Sequence, residues 1–475
     1  MKNFKYQIIL WFSIIFFVIL FSYLSIKRYK TLNSYYYDLG IMNQVVYNTS
    51  QGRFLEMTNQ DLKKNVSRLA IHFDPILAFF APFYKIYEGP EVLLIGQAII
   101  LGLGAWAIYL ISEKILKKNW LGLIFSLNYL FYFAVQRAVL FDFHAVTLAT
   151  TFFLFAIYFQ EVKKWTWFFL FIFLALLTKE HIGSVVFFFG IYLFIIKKEK
   201  KIGLITSIIG LIFFIVTVYF VIPYFRGDEH FALKYFSDTG SRYSEIIANG
   251  YSYAKLLLAS VFYSLFSPLT LAISLPEWVI NIFSTNSNMR SVLFHYNSVI
   301  TAFIFYSLIL GYKNFTKSIS NKNLQNIIFA VFLILNIRSI YKYNPVPYFV
   351  KYPVSYKEID SIKNNSIKIW QNNLKDENIK VSTTPKLAPF FTNRIYYYNF
   401  LYDSAYASMG KTDEDIYKNE IDKYALADYV IINKSEIKSV NEKTLSVKFY
   451  QKLKNDSQFQ MIYFDNQEIE VYKKI

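Results

Sequence analysis

The sequence predicts an all-α polytopic membrane protein of about 11 transmembrane helices, followed by a small soluble α/β domain. Three observations carry this. Long apolar runs fill residues 6–340 with almost no charge inside them. The ionisable residues of that region fall at run ends: Asp38, His72 with Asp74, Asp142 with His144, Lys179-Glu180-His181, and Arg290 with His295. From residue 342 the texture changes, and charges of both signs become frequent. A soluble chain of 475 residues could not be 55% hydrophobic and 20% aromatic and still clothe itself in polar surface.

The first run, Tyr6 to Ile26, is too long for a signal-peptide core, and Lys27, Arg28 and Lys30 follow it rather than a small-residue cleavage motif. It reads as a retained first membrane helix. The further expected spans are 92–112, 120–136, 145–160, 165–178, 182–196, 202–222, 255–266, 268–283, 296–312 and 326–341. Several fall short of the ~20 residues that a perpendicular helix needs. The pair around Ser267-Pro268 reads either as two thin spans or as one re-entrant hairpin. Residues 27–91 form a first external loop, in which 41–48 read as an amphipathic helix lying at the membrane interface. Pro75 can start a short helix over Ile76–Tyr84. A second external loop covers 223–254.

The two domains expected are 1–341, with the external loop 27–91, and 342–475. In the second, Lys380 to Thr383 and Asp428 to Ile432 read as strands, Glu358 to Asn372 and Asp413 to Tyr424 as helices, and Phe459 to Tyr472 as a hairpin. Loop charge sets orientation. The short loops with Lys114, Lys117 and Lys118, with Lys163 and Lys164, and with Lys197, Lys198, Lys200 and Lys201 are basic. They are expected on the cytoplasmic side, with the N-terminus inside, and the ionisable clusters and the C-terminal domain outside. The cell membrane is the expected location.

Composition also excludes. With no cysteine there is no disulfide, zinc-thiolate site or thiol nucleophile. The net charge of +17 does not indicate nucleic acid, because the lysines sit in small clusters between apolar runs, where they set topology and meet anionic headgroups. No Walker-type glycine loop, no G-x-S-x-G and no G-x-G-x-x-G after a strand occurs.

Asp38 follows three tyrosines and precedes Leu39-Gly40. A carboxylate at the water–membrane boundary, walled by rings, suits a general base; an N-cap is the alternative. His72 with Asp74, and Asp142 with His144, share one face if extended. They could hold a divalent cation or position a phosphate; helix capping and loop hydrogen bonds are the plainer roles. Lys179, Glu180 and His181 crowd a junction with almost no loop, where Lys179 could contact an anion and Glu180 orient a base or a metal. Arg290 and His295 precede another span, and a guanidinium there suits a lipid phosphate or simply snorkels. If a divalent cation binds, Asp38, Asp142, His144 and Glu180 are its candidate ligands.

At these residues the chain resembles a known family. Tyr37-Asp38-Leu39-Gly40-Ile41 with Asn43-Gln44, Gly52-Arg53, and His72-Phe73-Asp74-Pro75-Ile76 look like the opening of the polytopic membrane proteins grouped as DUF2079. The likeness continues through Phe141-Asp142-Phe143-His144, Lys179-Glu180, Pro276-Glu277, Arg290-Ser291, His295-Tyr296, Asn393-Arg394-Ile395-Tyr396 and Asp428-Tyr429-Val430. His181 departs from the family's frequent Lys-Glu-Asp. That family is similar to the GT-C glycosyltransferases, which implies transfer of a sugar from a polyprenyl-phosphate carrier at the external membrane face. The resemblance puts Asp38 in the position of the acidic residue that acts on the acceptor. A transporter or lipid flippase, and a non-catalytic assembly or sensor protein, are the competing expectations. The partners expected are the lipid-linked sugar and membrane lipid.

Overall fold

The computed structural model describes residues 2–230, 243–346, 350–351, 353–400, 423–437 and 445–475. The chain folds as two compact units. One comprises Met1–Ser25, Leu69–Ile76 and Leu94–Ser355; the other comprises Ile26–Arg68, Leu77–Leu93 and Tyr356–Ile475.

The first unit is a bundle of apolar helices. Among the described residues, five helices are long and apolar enough to cross a membrane: Phe4–Lys30, Glu91–Leu116, Lys200–Arg226, His295–Ser318 and Lys322–Tyr343. A sixth crossing arises if Asn119–Leu130 and Phe133–Leu140, bent by 44° at Phe131-Tyr132, count as one. The expectation of eleven crossings is thus matched by five or six. Four of the remaining expected spans are the shorter helices Ala145–Glu161, Trp165–Leu176, Ile182–Ile195 and Pro268–Phe283. At 1.5 Å per residue a helix of 12 residues is about 18 Å long, against about 30 Å of hydrocarbon.

Either side of Ser267-Pro268, where two thin spans or one re-entrant hairpin are expected, the chain forms short helical segments: Ala259–Phe266 before it, and Pro268–Leu271, Ala272–Ser274 and Leu275–Phe283 after it, the last three making up one short apolar helix, Pro268–Phe283. Broken backbone among apolar helices needs partners for its carbonyls. The helix Ser298–Ser318 supplies them: Ser307 Oγ donates to the carbonyls of Ser264 (2.8 Å) and Ser267 (2.7 Å), and the Asn314 amide donates to that of Phe266 (3.0 Å).

Ile182–Ile195 and the helix beginning at Lys200 meet along a seam of four glycines. A Cβ on Gly183 would lie 2.7 Å from the Gly210 carbonyl oxygen, and one on Gly203 would lie 2.7 Å from that of Gly190. The seven-residue spacing on each helix repeats after two turns, so both contacts fall on one stripe.

The second unit carries a β1–β2 hairpin (Glu56–Asn59, Lys64–Ser67) and a five-stranded sheet of order β4-β3-β5-β7-β6. Its strands are β3 Val381–Thr383, β4 Tyr397–Asn399, β5 Tyr429–Asn433, β6 Phe459–Phe464 and β7 Ile469–Lys474. β3 runs parallel to β4 and β5, while β7 is antiparallel to both of its neighbours. The expected strands, the C-terminal hairpin and the helix Ser361–Asn373 are all present. The other expected helix, 413–424, lies largely outside the described residues. Phe400, Val430, Ile432, Phe449, Leu453 and Tyr472 form much of one core.

The helix expected at the membrane interface is Ile41–Ser50, and its polar side chains Asn43, Gln44, Asn48 and Ser50 are buried. The Asn43 amide donates to Thr392 Oγ1 (2.9 Å) and Asn393 Oδ1 (2.7 Å), and the Gln44 amide to the carbonyls of Arg394 and Ile395 (3.3 Å each). Arg53 grips Glu377 with both Nη atoms, at 3.1 and 2.6 Å, and Tyr36 stacks on Tyr397. The polar stripe therefore faces protein and not lipid headgroups, because residues some 350 positions later complete its hydrogen bonds.

Candidate functional site

All five histidines of the chain belong to the first unit. The turn between Trp165–Leu176 and Ile182–Ile195 holds the residues around which they gather. Thr178 Oγ1 donates to the Ala175 carbonyl (2.6 Å) and Ser184 Oγ to that of His181 (2.7 Å), fixing the turn at both ends. Between them Glu180 is buried. Its Oε1 lies 2.9 Å from His72 Nδ1 and 3.2 Å from His230 Nε2, and its Oε2 accepts from the Phe73 amide at 3.0 Å. Burial opposes ionisation of Glu180, but His72, His230 and Lys179 outweigh it and hold the carboxyl well below its usual range.

Each partner arrives on its own segment. His72 precedes the helical turn Pro75–Phe80, which is anchored where the Ile76 amide donates to the Leu177 carbonyl (3.1 Å). His230 follows the long helix that ends at Arg226. Gly227, at φ 76°, closes it with a left-handed residue whose amide donates back to Pro223 O (2.8 Å).

The next residue, His181, brings its Nε2 to 3.0 Å from Glu277 Oε1, at ion-pair distance but without hydrogen-bond alignment. His144 and His295 stack with ring centroids 3.7 Å apart, and Phe141 stacks on His144 at 5.3 Å. His295 also has Lys179, His72 and His181 as electrostatic neighbours. The half-buried Lys179 side chain has no hydrogen-bond or ion-pair partner among the described residues.

The structure thus brings together His72, Lys179 and Glu180, and separately His144 and His295. Asp74 and Asp142 are buried in the same unit. Asp142 has φ 66°, so it and His144 do not form the extended pair their spacing suggested. Instead Gln97 clamps the turn: its amide donates to Asp142 O (2.8 Å), and its Oε1 accepts from the His144 amide (2.9 Å). Arg290 directs Nη1 to the carbonyls of Asn281 (3.3 Å) and Ser284 (2.7 Å), where it closes the end of Leu275–Phe283. Asp38 belongs to the second unit. It lies half-buried inside the π-helical turn Tyr36–Gly40, and the N-cap of the following helix is Gly40, so Asp38 is not that cap.

Among the described residues, His72, Glu180 and His230 are the group whose donor atoms converge as a metal would need, all within 4.8 Å of one another. Of the four ligands expected, Glu180 alone belongs to it. His230 was missed, though Asp228-Glu229-His230 carries the signal that revealed Lys179-Glu180-His181: ionisable residues packed against the end of an apolar run.

Comparison with curated proteins finds no match. A family model described as "Predicted membrane protein (DUF2079)" matches residues 28–470. With that match running over nearly its whole length, and apolar helices long enough to cross a bilayer, the chain belongs to the DUF2079 family of membrane proteins.

Proposed function

We propose that the chain is a membrane glycosyltransferase that moves a sugar from a polyprenyl-phosphate carrier to an acceptor hydroxyl at the external face of the cell membrane. Asp38 takes the proton from the hydroxyl as its oxygen attacks the anomeric carbon. The bond to the lipid phosphate breaks on the opposite face of the sugar, so configuration inverts. The leaving phosphate is stable enough that one base plus charge stabilisation can suffice. Lys179 meets its charge; His72, Asp74, Asp142, His144 and His295 line and order the polar region. In this reading the chain crosses the bilayer eleven times, the shorter helices included, with its N-terminus in the cytoplasm and its C-terminal unit outside.

The observation that supports this reading most is the gathering of every histidine with Lys179, Glu180 and Glu277 inside the first unit. Ionisable groups among apolar helices are costly and mark sites of function. Asp38→Asn tests it, in membranes supplied with a panel of polyprenyl-phosphate sugars. Turnover is expected to fall by at least ~100-fold. A variant that folds normally and keeps full turnover removes Asp38 as the base.

One observation favours a second reading, a lipid flippase or transporter. Trp165–Leu176 and Ile182–Ile195 are short helices meeting at an ionisable turn, as the broken helices of transporters do. Uptake into proteoliposomes without any sugar transfer would select it.

A further inference from the structure

We infer that His72, Glu180 and His230 form a resident site for a divalent transition metal of the zinc class. The inference does not rest on the transferase reading, since it concerns what these three side chains bind whatever reaction follows.

The donor set is two imidazole nitrogens and one carboxylate oxygen. Imidazole suits zinc, copper, iron or nickel rather than calcium, magnesium or manganese, which prefer oxygen. The size is right. Metal–ligand bonds of about 2.0–2.1 Å at tetrahedral angles put neighbouring ligand atoms about 3.3 Å apart. The two nitrogens stand 2.9 and 3.2 Å from the shared Glu180 oxygen, and all three donors lie within 4.8 Å. These separations bracket that value, so modest side-chain adjustment brings the three donors onto one ion.

The support around the ligands is that of a metal site. The second oxygen of Glu180 is held by the Phe73 amide, which fixes the carboxylate plane. Three separate segments supply the ligands, each anchored on its own: the Ile76–Leu177 backbone bond for His72, the paired turn bonds of Thr178 and Ser184 for Glu180, and the Gly227 helix end for His230. Three protein ligands leave a coordination position open, the pattern of catalytic rather than structural sites. A phosphate oxygen is the ligand class that suits that position, because the neighbouring Lys179 is cationic and makes no hydrogen bond or ion pair among the described residues.

The test uses the full chain purified in detergent, incubated with Zn²⁺, desalted and analysed by plasma mass spectrometry. A single equivalent is expected in the wild type and in His295→Ala, and its loss in His230→Ala and Glu180→Gln. Cobalt substitution gives a second readout on the wild type alone: visible d–d bands of a nitrogen- and oxygen-ligated ion, abolished by excess Zn²⁺. No metal above background in the wild type, or an equivalent retained by His230→Ala, overturns the site and leaves Glu180 as a carboxylate hydrogen-bonded by two imidazoles.

Discussion

A Cβ built on Gly190 would lie 2.3 Å from the amide nitrogen of Ser207, so the helices that carry these residues touch backbone to backbone. No side chain fits in such a space, and none at this point can rotate away. Gly190→Val must push the helices apart. Overpacking of this kind costs about 1–3 kcal/mol. The expected outcome is a lower melting temperature in detergent, with Gly190→Ala less affected than Gly190→Val. An unchanged midpoint for the valine variant would show that the seam is looser than described. Because Gly183 lies three residues past Glu180, the same variant should weaken any binding that depends on His72, Glu180 and His230.

The grip of Arg53 on Glu377 makes a pH prediction. Hydrogen bonds from Arg53 hold the Glu377 carboxyl below the ordinary value of 4.5, with Tyr47 adding a further bond. A carboxylate depressed in the folded state contributes stability above its unfolded pKa and loses it as pH falls through the folded one. Hydrogen-exchange protection of Ile41–Ser50, corrected for intrinsic rates, should therefore decline as pH drops below 4.5. Glu377→Gln should lower protection at neutral pH, by about 1 kcal/mol, and flatten that dependence. An unaltered acid profile in the variant would assign the decline to other groups.

Arg394 is buried and donates to the carbonyls of Ile379 (2.7 Å), Leu374 (2.9 Å) and Phe391. Burial lowers its pKa to about 10, which leaves it charged at neutral pH. Arg394→Met orphans three acceptors at about 1 kcal/mol each. Exchange protection across β3 and β4 should fall accordingly. Arg394→Lys should recover only part of it, since an ammonium cannot span three carbonyls in a plane. Equal protection in wild type and methionine variant would contradict this role.

Lys179 offers the sharpest test of anion recognition. Lys179→Met keeps the length of the side chain and removes the charge. Binding of a polyprenyl phosphate to the purified chain is expected to weaken about tenfold, or ~1.4 kcal/mol, with the fold intact. Lys179→Arg should retain most of the affinity. If the methionine variant binds as tightly as the wild type, the phosphate is held elsewhere.

Much of this is legible in the sequence. Asp428 to Ile432 is a short β-rich run, and it is a strand. Ionisable residues at the ends of apolar runs marked His72, Lys179 and Glu180, which do meet. Other features were hidden for definite reasons. Hydropathy measures how apolar a run is, not how many residues the turn at its end consumes, so Trp165–Leu176 came out shorter than its run. Periodicity showed that Ile41–Ser50 has a polar face but could not show that Thr392 and Asn393 fill it. The spacing of Asp142 and His144 suggested an extended pair, but a positive φ at an aspartate leaves no periodic trace. His230 lies in the second expected external loop, past the end of an apolar run, where only the fold shows it turning back to Glu180.

The pairing of Tyr47 with Glu377 spans 330 residues of chain. At ribosomal rates of ~5–20 residues per second, roughly 15–65 s pass between the making of one partner and the other. During that interval the early segment, with Asn43, Gln44 and Arg53 built to satisfy groups that do not yet exist, must be shielded from aggregation and proteolysis. Nascent chains released before the last quarter is translated should then be cleared quickly, whatever the condition of their hydrophobic helices.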